Sequence, residues 1–275
     1  MEYLLRKPFV ALLGLLLIFQ AHAQTDSLQQ AFEQQVASGQ KMDAFATGDL
    51  LASSYSVEND IGKGTPHAFR LLDFVKSEFK GRARDSLMAI AYDQVAVILG
   101  SDPGPPNQAK SYLDSAVVLM EEFGMWNRAA HVYSNKATFL NRLSQYAEAI
   151  TYLIKAQDTI LEHDVDGNDS YTLWSIYLNL ATGHRNLAQY NEELTYALKS
   201  YESLDPDQPE KSDDVLYRLG YSYQLIAIAY SNLKELDQAK SYVKKGIAIF
   251  EKTGQERAIL DLNNTLATIN KEHAK

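Results

Sequence analysis

The histidines of this sequence are the side chains best suited to metal binding or to acid–base chemistry near neutral pH. There are six: His22, His67, His131, His163, His184 and His273. No two of them are spaced i, i+4, and there is no H-E-x-x-H motif, so no pair is placed to hold a zinc ion. Cysteine is absent, which excludes thiolate ligands, disulfides and cysteine nucleophiles.

One short glycine-containing stretch partly resembles a phosphate-binding motif. Gly62-Lys63-Gly64-Thr65 has two glycines and a lysine, but it lacks the preceding strand and the full G-x-x-x-x-G-K-[ST] spacing. The chain also has no G-x-S-x-G elbow and no dinucleotide fingerprint. We expect residues 62–65 to form a flexible loop, and we assign no cofactor.

One acidic stretch has the alternation that calcium prefers. Asp164, Asp166 and Asn168 could offer oxygens on alternate residues of a turn. However, Asp169 stands where an EF-hand loop needs glycine, and Ser175 stands where it needs glutamate. A solvated connection between helices and a weak cation site are both compatible with this pattern. We favour the connection and predict no metal site.

Composition describes an ordinary globular chain. The 275 residues are 46% hydrophobic and 22% charged, and 26 Lys+Arg against 35 Asp+Glu give a formal charge of −9. An acidic chain repels the phosphate backbone, so binding to nucleic acid is not expected.

The N-terminal segment predicts a signal peptide at residues 1–23. Arg6 and Lys7 precede an uncharged run over residues 9–19, and Ala21-His22-Ala23 has the small-x-small pattern of a cleavage site. Eleven helical residues span about 17 Å, well short of a hydrocarbon core of about 30 Å. An uncleaved anchor is the alternative. We expect cleavage near Ala23, a periplasmic or secreted bacterial protein, and no membrane contact after cleavage.

The remaining chain contains an internal repeat. Four segments align so that one column is alanine or glutamate, the residue three positions later is tyrosine, and the residue seven positions later is small. The columns are Ala109, Ala149, Glu193 and Ala239; Tyr112, Tyr152, Tyr196 and Tyr242; and Ala116, Ala156, Ser200 and Gly246. Offsets of 0, 3 and 7 lie on one face of an α-helix.

A second helical pattern precedes each of the last three copies. It covers about residues 126–143, 170–187 and 213–233, and Ala137, Ala181 and Ala227 each lie twelve residues before the first column. Each unit is therefore predicted to be a helical hairpin with a short polar turn.

These units resemble the tetratricopeptide repeat, with the best match between Tyr133 and Ala156. Glu193 departs from the alanine of the family pattern, and Leu236 replaces an aromatic residue. The resemblance implies an all-α, tetratricopeptide-like α-solenoid, a right-handed superhelix of antiparallel helical hairpins. The spacing between copies exceeds the usual 34 residues, which indicates the long-helix type.

We predict a single helical-repeat domain over residues 24–275. Its units cover about residues 65–107, 108–143, 144–187, 188–233 and 234–275. Thr65-Pro66 is predicted to start a helix, since a cap residue is followed by proline. Two further helices are expected at 27–38 and 40–56, and residues 255–271 are expected to cap the stack.

The resemblance implies a concave groove lined by the first helix of each hairpin. The expected binding residues are Asn135, Thr138, Arg142, Asn179, Thr182, Arg185, Tyr221 and Gln224. Amide side chains suit the N–H and C=O groups of an extended peptide, and arginines can pair with carboxylates.

Alternatives remain for individual groove residues. Asn135 and Asn179 occupy positions where some family members clamp a C-terminal carboxylate, but Tyr221 and Leu225 replace the basic residues that this clamp also needs. The two asparagines are equally compatible with hydrogen bonds between adjacent hairpins. The column of tyrosines is expected to belong to the core.

Four Asp-Ser/Thr-apolar triplets begin at Asp26, Asp85, Asp114 and Asp158. They resemble an O-glycosylation motif of some exported bacterial proteins, and helix capping is the favoured alternative.

The sequence therefore predicts an exported, non-enzymatic scaffold that binds a protein or extended peptide in its concave groove. The alternative is a periplasmic sensory module that binds a small peptide or metabolite and signals through a separate protein. An enzyme and a purely structural protein are the less favoured possibilities. The oligomeric state is left open.

Overall fold

The computed structural model describes residues 24–101, 106–163, 170–207 and 211–273. Every regular element in these ranges is an α-helix, which confirms the predicted all-α class. The predicted signal peptide, residues 1–23, lies outside the described residues. None of the described helices is long and apolar enough to cross a membrane.

The described helices fall into two compact units, the first ending at Met125 and the second beginning at Trp126. Helix α1 covers residues 24–37. In the first unit it is followed by α2 (Lys41–Val57), α3 (Ile61–Glu78), α4 (Gly81–Ser101) and α5 (Pro106–Glu122). The second unit contains α6 (Trp126–Arg142), α7 (Tyr146–Glu162), α8 (Ser170–Asn186), α9 (Tyr190–Glu202), α10 (Asp213–Asn232), α11 (Leu236–Thr253) and α12 (Glu256–His273). The single-domain organisation and its repeat boundaries stay predictions.

The helix patterns of the sequence correspond closely to three of these helices. Helices α6, α8 and α10 begin at the predicted residues 126, 170 and 213, and each ends one residue before the predicted end. The repeated small residues Ala137, Ala181 and Ala227 are completely buried. A small side chain at this point lets the neighbouring helix approach closely.

The turn inside each hairpin of the second unit has the same hydrogen bonds. At the α6–α7 turn, the Ser144 N–H donates to the Asn141 carbonyl (3.0 Å) and the Gln145 N–H donates to the Leu140 carbonyl (2.9 Å). This is a Schellman arrangement, which requires a left-handed residue after the helix. Ser144, Ala188 and Lys234 supply it, with φ of 59°, 55° and 67°. The equivalent bonds recur at the α8–α9 and α10–α11 turns.

Packing in the second unit runs from each helix to the next. Helix α6 pairs with α7, α8 with α9 and α10 with α11, while α7 contacts α8 and α9 contacts α10. The first helices of the hairpins are also neighbours, α6 beside α8 and α8 beside α10. Helix α12 packs on α11 and α10 through Ala258, Leu262 and Ile269, and its other face is mainly polar. This placement is that of a cap.

The first unit follows the same principle. Helix α2 contacts α3 and α4, α3 contacts α4, and α4 pairs with α5. Its core contains Phe32 of α1 and the buried residues Ala68, Leu71 and Val75 of α3. These three lie 41 positions before Ala109, Tyr112 and Ala116, and so share the spacing of the repeat columns.

Two expectations for the start of α3 are wrong. The helix begins at Ile61, where the Asp60 side chain accepts a hydrogen bond from the Lys63 N–H (3.1 Å), so Thr65-Pro66 lies inside it. Residues 62–65 are therefore helical and form no loop. Gly64 permits close packing, because a Cβ there would lie 3.1 Å from the Tyr55 Cβ and 3.2 Å from the Ile98 Cδ1.

Candidate functional site

The predicted binding residues lie on the first helices of the three hairpins in the second unit, α6, α8 and α10. We call the set the A-helix face. It comprises Asn135, Thr138 and Arg142 on α6, Asn179, Thr182 and Arg185 on α8, and Tyr221 and Gln224 on α10. All eight are partly or largely exposed. Because α8 lies between α6 and α10, the residues fall on three adjacent helices.

The two threonines of the A-helix face occupy equivalent positions and make the same contact. Thr138 donates its hydroxyl proton to the Ser134 carbonyl, and Thr182 donates to the Leu178 carbonyl, both at 3.0 Å. Each hydroxyl oxygen keeps lone pairs with which it can accept a further hydrogen bond. At Thr182 one of them accepts from the Arg185 Nη2 at 3.3 Å.

Arg185 also approaches a carboxyl group in the next helix. Its Nε lies 3.8 Å from Oε1 of Glu193, the first-column residue of α9. The other oxygen of Glu193 accepts a hydrogen bond from the Asn232 side-chain amide of α10 at 2.8 Å. Glu193 therefore contacts side chains from both flanking first helices.

Glu193 is completely buried, while the Arg185 side chain is 28% exposed. Burial raises the pKa of the Glu193 carboxyl above its usual value, and the Asn232 hydrogen bond and the Arg185 charge offset part of that effect. Its Oε1 accepts no hydrogen bond. The sequence showed Glu193 as a departure from the repeat pattern but did not reveal these contacts.

Tyr221 belongs to an aromatic cluster on α10 and α11. The Tyr217 hydroxyl donates to the Tyr221 hydroxyl at 3.2 Å, and the Tyr221 ring meets Phe250 edge-on, with 5.5 Å between the ring centroids. The hydrogen bond from Tyr217, together with burial, raises the pKa of Tyr221 to about 12. Its hydroxyl therefore keeps its proton to a higher pH than that of an ordinary tyrosine.

A second aromatic cluster was not predicted. The Arg218 guanidinium lies 3.7 Å from the ring centroid of Tyr171 and 5.1 Å from that of Trp174. Asp214 accepts two hydrogen bonds from Arg218, at 2.9 and 3.0 Å. Tyr171 is 50% exposed, and it precedes Thr182 by eleven residues, or about three helical turns. The cluster therefore extends the A-helix face toward the N-terminal end of α8.

Only one contact of this cluster could have been predicted from the sequence. The Asp214–Arg218 pair has the i, i+4 spacing of a helical ion pair. The contact between Arg218 and Tyr171 joins residues on different helices and has no local pattern.

The tyrosine column has the expected packing role. Each of its four residues is half-buried and faces an aromatic residue of the other helix of its hairpin. The pairs are Tyr92–Tyr112, Tyr133–Tyr152, Tyr177–Tyr196 and Tyr223–Tyr242, with centroid distances between 5.6 and 6.2 Å.

Three lysines accompany these pairs and were also missed. Lys155, Lys199 and Lys245 follow the column tyrosine by three residues, and their Nζ atoms lie 5.5, 5.1 and 4.4 Å from its ring centroid. The arrangement is that of a cation–π contact repeated in three successive hairpins. A fourth column in the alignment, three residues after the tyrosine, contained this signal.

The remaining candidates contribute no site among the described residues. No group of three or more His, Asp or Glu side chains there could hold a metal ion. Asp164, Asp166, Asn168 and Asp169 lie outside the described residues. Ser86, Ser115 and Thr159 lie inside helices and donate to carbonyl oxygens of their own helix, so the capping interpretation of their triplets is wrong.

The sequence matches no protein-family model and no curated protein. The fold does match solved structures. BtubC (BKLC) from P. vanneervenii superposes with a TM-score of 0.71 at 16% identity, covering 85% of this chain and 92% of that one. The TPR-like repeats of a putative kinesin light chain from Podospora anserina give 0.60 at 14%, covering 76% and 95%. Aspartyl phosphate phosphatase F from Bacillus subtilis gives 0.54 at 14%, covering 91% and 71%.

These likenesses concern the fold. With the helix order and the repeated turns, they define the chain as an all-α protein built of tetratricopeptide-like helical hairpins.

Proposed function

We propose that this protein is an exported, non-enzymatic helical-repeat scaffold that binds a protein or an extended peptide on its A-helix face. The observation that carries the proposal is the alignment of partly exposed amide, hydroxyl and guanidinium groups on three adjacent helices. These groups include donors and acceptors for a peptide backbone and cations for its carboxylates.

The aromatic clusters add apolar contact area to this face. Tyrosine, tryptophan and arginine are the residues that most often dominate binding energy at protein interfaces. Trp174 is held in place by a hydrogen bond to Ser222, and Arg218 by its bidentate pair with Asp214. Side chains ordered before binding lose less conformational entropy when a partner arrives.

Export is proposed from the N-terminal sequence alone. The positive residues Arg6 and Lys7, the apolar run and Ala21-His22-Ala23 support a signal peptide cleaved near Ala23. N-terminal sequencing of the protein purified from the bacterial envelope tests this directly. A first residue of Gln24 is expected, and an N-terminus at Met1 contradicts cleavage.

The binding proposal is tested by capture. The tagged protein is immobilised and exposed to envelope extract of its source organism and, in parallel, to a displayed library of random peptides. The double variant Asn135→Ala/Asn179→Ala is the test, and Asn191→Ala/Asn263→Ala, two exposed asparagines away from the A-helix face, is the matched control. Protein partners or peptides retained by wild type and by the control, and lost by the test variant, are expected.

Three results count against the proposal. Equal capture by all three proteins removes the A-helix face as the binding site. A melting temperature that falls only in the test variant shows that the asparagines tie adjacent hairpins together. Recovery of no partner or peptide, with a thermal shift on adding a small peptide or metabolite, favours the sensory alternative.

We assign no catalytic role to any residue. Because one protein of similar fold is named a phosphatase, hydrolysis of acetyl phosphate is measured alongside capture. Turnover above that of the buffer overturns the non-enzymatic part of the proposal.

A further inference from the structure

Glu193 is exceptional within the repeat. The equivalent residues Ala109, Ala149 and Ala239 are all buried, and the alignment places the longer, ionisable side chain only in the third copy. The carboxyl group is fully removed from solvent although α9 could have carried an alanine there, as the neighbouring hairpins do. A group with this desolvation cost needs compensating partners.

Those partners come from the two flanking first helices. From α8, Arg185 brings its Nε to 3.8 Å of Oε1, and from α10, Asn232 donates to Oε2 at 2.8 Å. Arg185 is the charged group that acts on Glu193, since the contribution of α10 is a neutral amide. Arg185 is in turn held by Thr182, another residue of the A-helix face.

We propose that Glu193 is a positioning residue, which orients Arg185 on the A-helix face and whose charge sets the net charge this part of the face presents to a partner. The inference rests on the proposed binding function. Ionised Glu193, which is buried, compensates the positive charge of the partly exposed Arg185 guanidinium. Protonated Glu193 leaves that charge uncompensated, so the face becomes more positive by one unit.

The protonation state of Glu193 depends on pH in a range above that of an exposed glutamate, because burial raises the pKa of Glu193. As the pH falls, Glu193 takes up a proton before an ordinary exposed glutamate does. An anionic segment of a partner is then bound more tightly and a cationic segment less tightly.

The positioning role is tested without any partner. The Arg185 Nε–H resonance of the full chain is followed by NMR in wild type, Glu193→Gln and Glu193→Ala, with Glu192→Gln, a neighbouring exposed glutamate, as the matched control. Glu193→Gln keeps the shape of the side chain, and Glu193→Ala restores the residue of the other repeats. In wild type and control the resonance is expected to shift with pH, with a midpoint above that of an exposed glutamate, because burial raises the pKa of Glu193.

Both Glu193 variants are expected to lose this shift. The Nε–H resonance of Arg218, which pairs with exposed Asp214, should be the same in all four proteins. An Arg185 resonance that is indifferent to Glu193 and to pH overturns the inference.

The effect on binding is measured with the most acidic and the most basic peptide recovered from the displayed library. Glu193→Gln at pH 7 is expected to tighten the acidic peptide and weaken the basic one by about threefold to tenfold, the effect of one unit charge at short range in partial solvent. Adding Arg185→Gln to Glu193→Gln should abolish the difference in peptide affinity from wild type.

The outcomes separate this inference from the proposed function. If the peptides no longer bind Asn135→Ala/Asn179→Ala but bind Glu193→Gln as tightly as wild type, the inference is overturned and the proposed function stands. If the library yields no peptide and the envelope extract yields no protein partner, the function is overturned, and with it the claim that Glu193 tunes binding.

Discussion

The indole N–H of Trp174 donates a hydrogen bond to the Ser222 hydroxyl, 3.0 Å away, and so ties α8 to α10. Ser222 is completely buried, and its hydroxyl lies 3.2 Å from that of Ser200 in α9. Ser200 donates to the Ala197 carbonyl at 2.7 Å. A short polar chain therefore crosses three helices beneath the cluster of Tyr171, Trp174 and Arg218.

Replacing Ser222 by alanine should destabilise the fold. Ser222→Ala leaves the half-buried Trp174 N–H without its acceptor, and an unsatisfied buried donor costs about 1–3 kcal/mol. Urea denaturation followed by tryptophan fluorescence measures the loss. Ser241→Ala, at an exposed position of α11, is the control and should change stability by less than about 0.5 kcal/mol. Equal effects of the two substitutions would argue against the tie.

Substitution of alanine by glycine should have opposite effects on stability at two positions. Ala188 has a φ of 55°, a conformation that costs an L-residue roughly 1–2 kcal/mol but is free for glycine. Ala188→Gly should therefore raise the free energy of unfolding by about 0.5–1 kcal/mol after its greater unfolded-state entropy is counted. Ala147→Gly, exposed within α7, should lower it by about 1 kcal/mol. Urea midpoints of the two variants decide the matter, and a loss of stability in both contradicts the turn geometry.

Gly220 marks a close approach between α10 and α11. A Cβ built on it would lie 2.5 Å from Cε1 and 2.6 Å from Cζ of the completely buried Phe250. Gly220→Ala should cost about 1–3 kcal/mol through overpacking, despite the better helix propensity of alanine. Phe250→Leu in the same chain should recover part of the loss, because it removes the clashing ring edge.

A second glycine provides the control for Gly220. Gly100 lies in α4 with nothing within 4 Å of its virtual Cβ, so Gly100→Ala should stabilise by about 0.5–1 kcal/mol. Thermal and urea unfolding of both variants would reveal the contrast. A neutral Gly220→Ala would show that the two helices can separate at little cost.

Stability of the first unit should depend on the ionisation of His67. Its Nε2 lies 2.8 Å from the Gly48 carbonyl, to which it donates, and its ring meets Phe32 and Tyr55 edge-on. Burial lowers the pKa of His67 below its usual value of about 6.5. Below that pH the unfolded chain takes up a proton that the folded chain resists, so the unfolding free energy falls.

The stabilising contribution of neutral His67 is thus complete above about pH 6.5 and declines as the pH falls toward its folded pKa. The denaturation midpoint should be lower at pH 5.5 than at pH 7.5, both in wild type and in His131→Gln, a control that replaces an exposed histidine. The difference between the midpoints at the two pH values should be smaller in His67→Gln. Glu193, with its raised pKa, contributes in the opposite direction, and a Glu193→Gln background removes it.

Local periodicity was sufficient to locate most helices. The starts of α6, α8 and α10 followed from apolar spacing and from small residues at constant offsets, because a helix is determined by residues three and four positions apart. The start of α3 was misplaced because two favourable signals competed. Thr65-Pro66 resembles a helix start, but Asp60 caps the helix earlier and the proline is tolerated within it.

The repeat also determined which residues share a face, and so the composition of the A-helix face on α6, α8 and α10. It did not determine what those residues contact. Glu193 and Asn232 are 39 positions apart, and Trp174 and Ser222 are 48 apart. Such pairs depend on the distance and rotation of one helix against another, which small changes in packing volume alter.

From the sequence alone came the helical class, the hairpin repeat, the small and aromatic columns and the set of side chains on each helix face. Tertiary packing alone decided that Glu193 lies between Arg185 and Asn232 and that Arg218 covers Tyr171 and Trp174. The physical reason is the range of the interactions. Periodicity records contacts within one helix turn, whereas a buried charge or an aromatic cluster exists only when separate helices bring its members together.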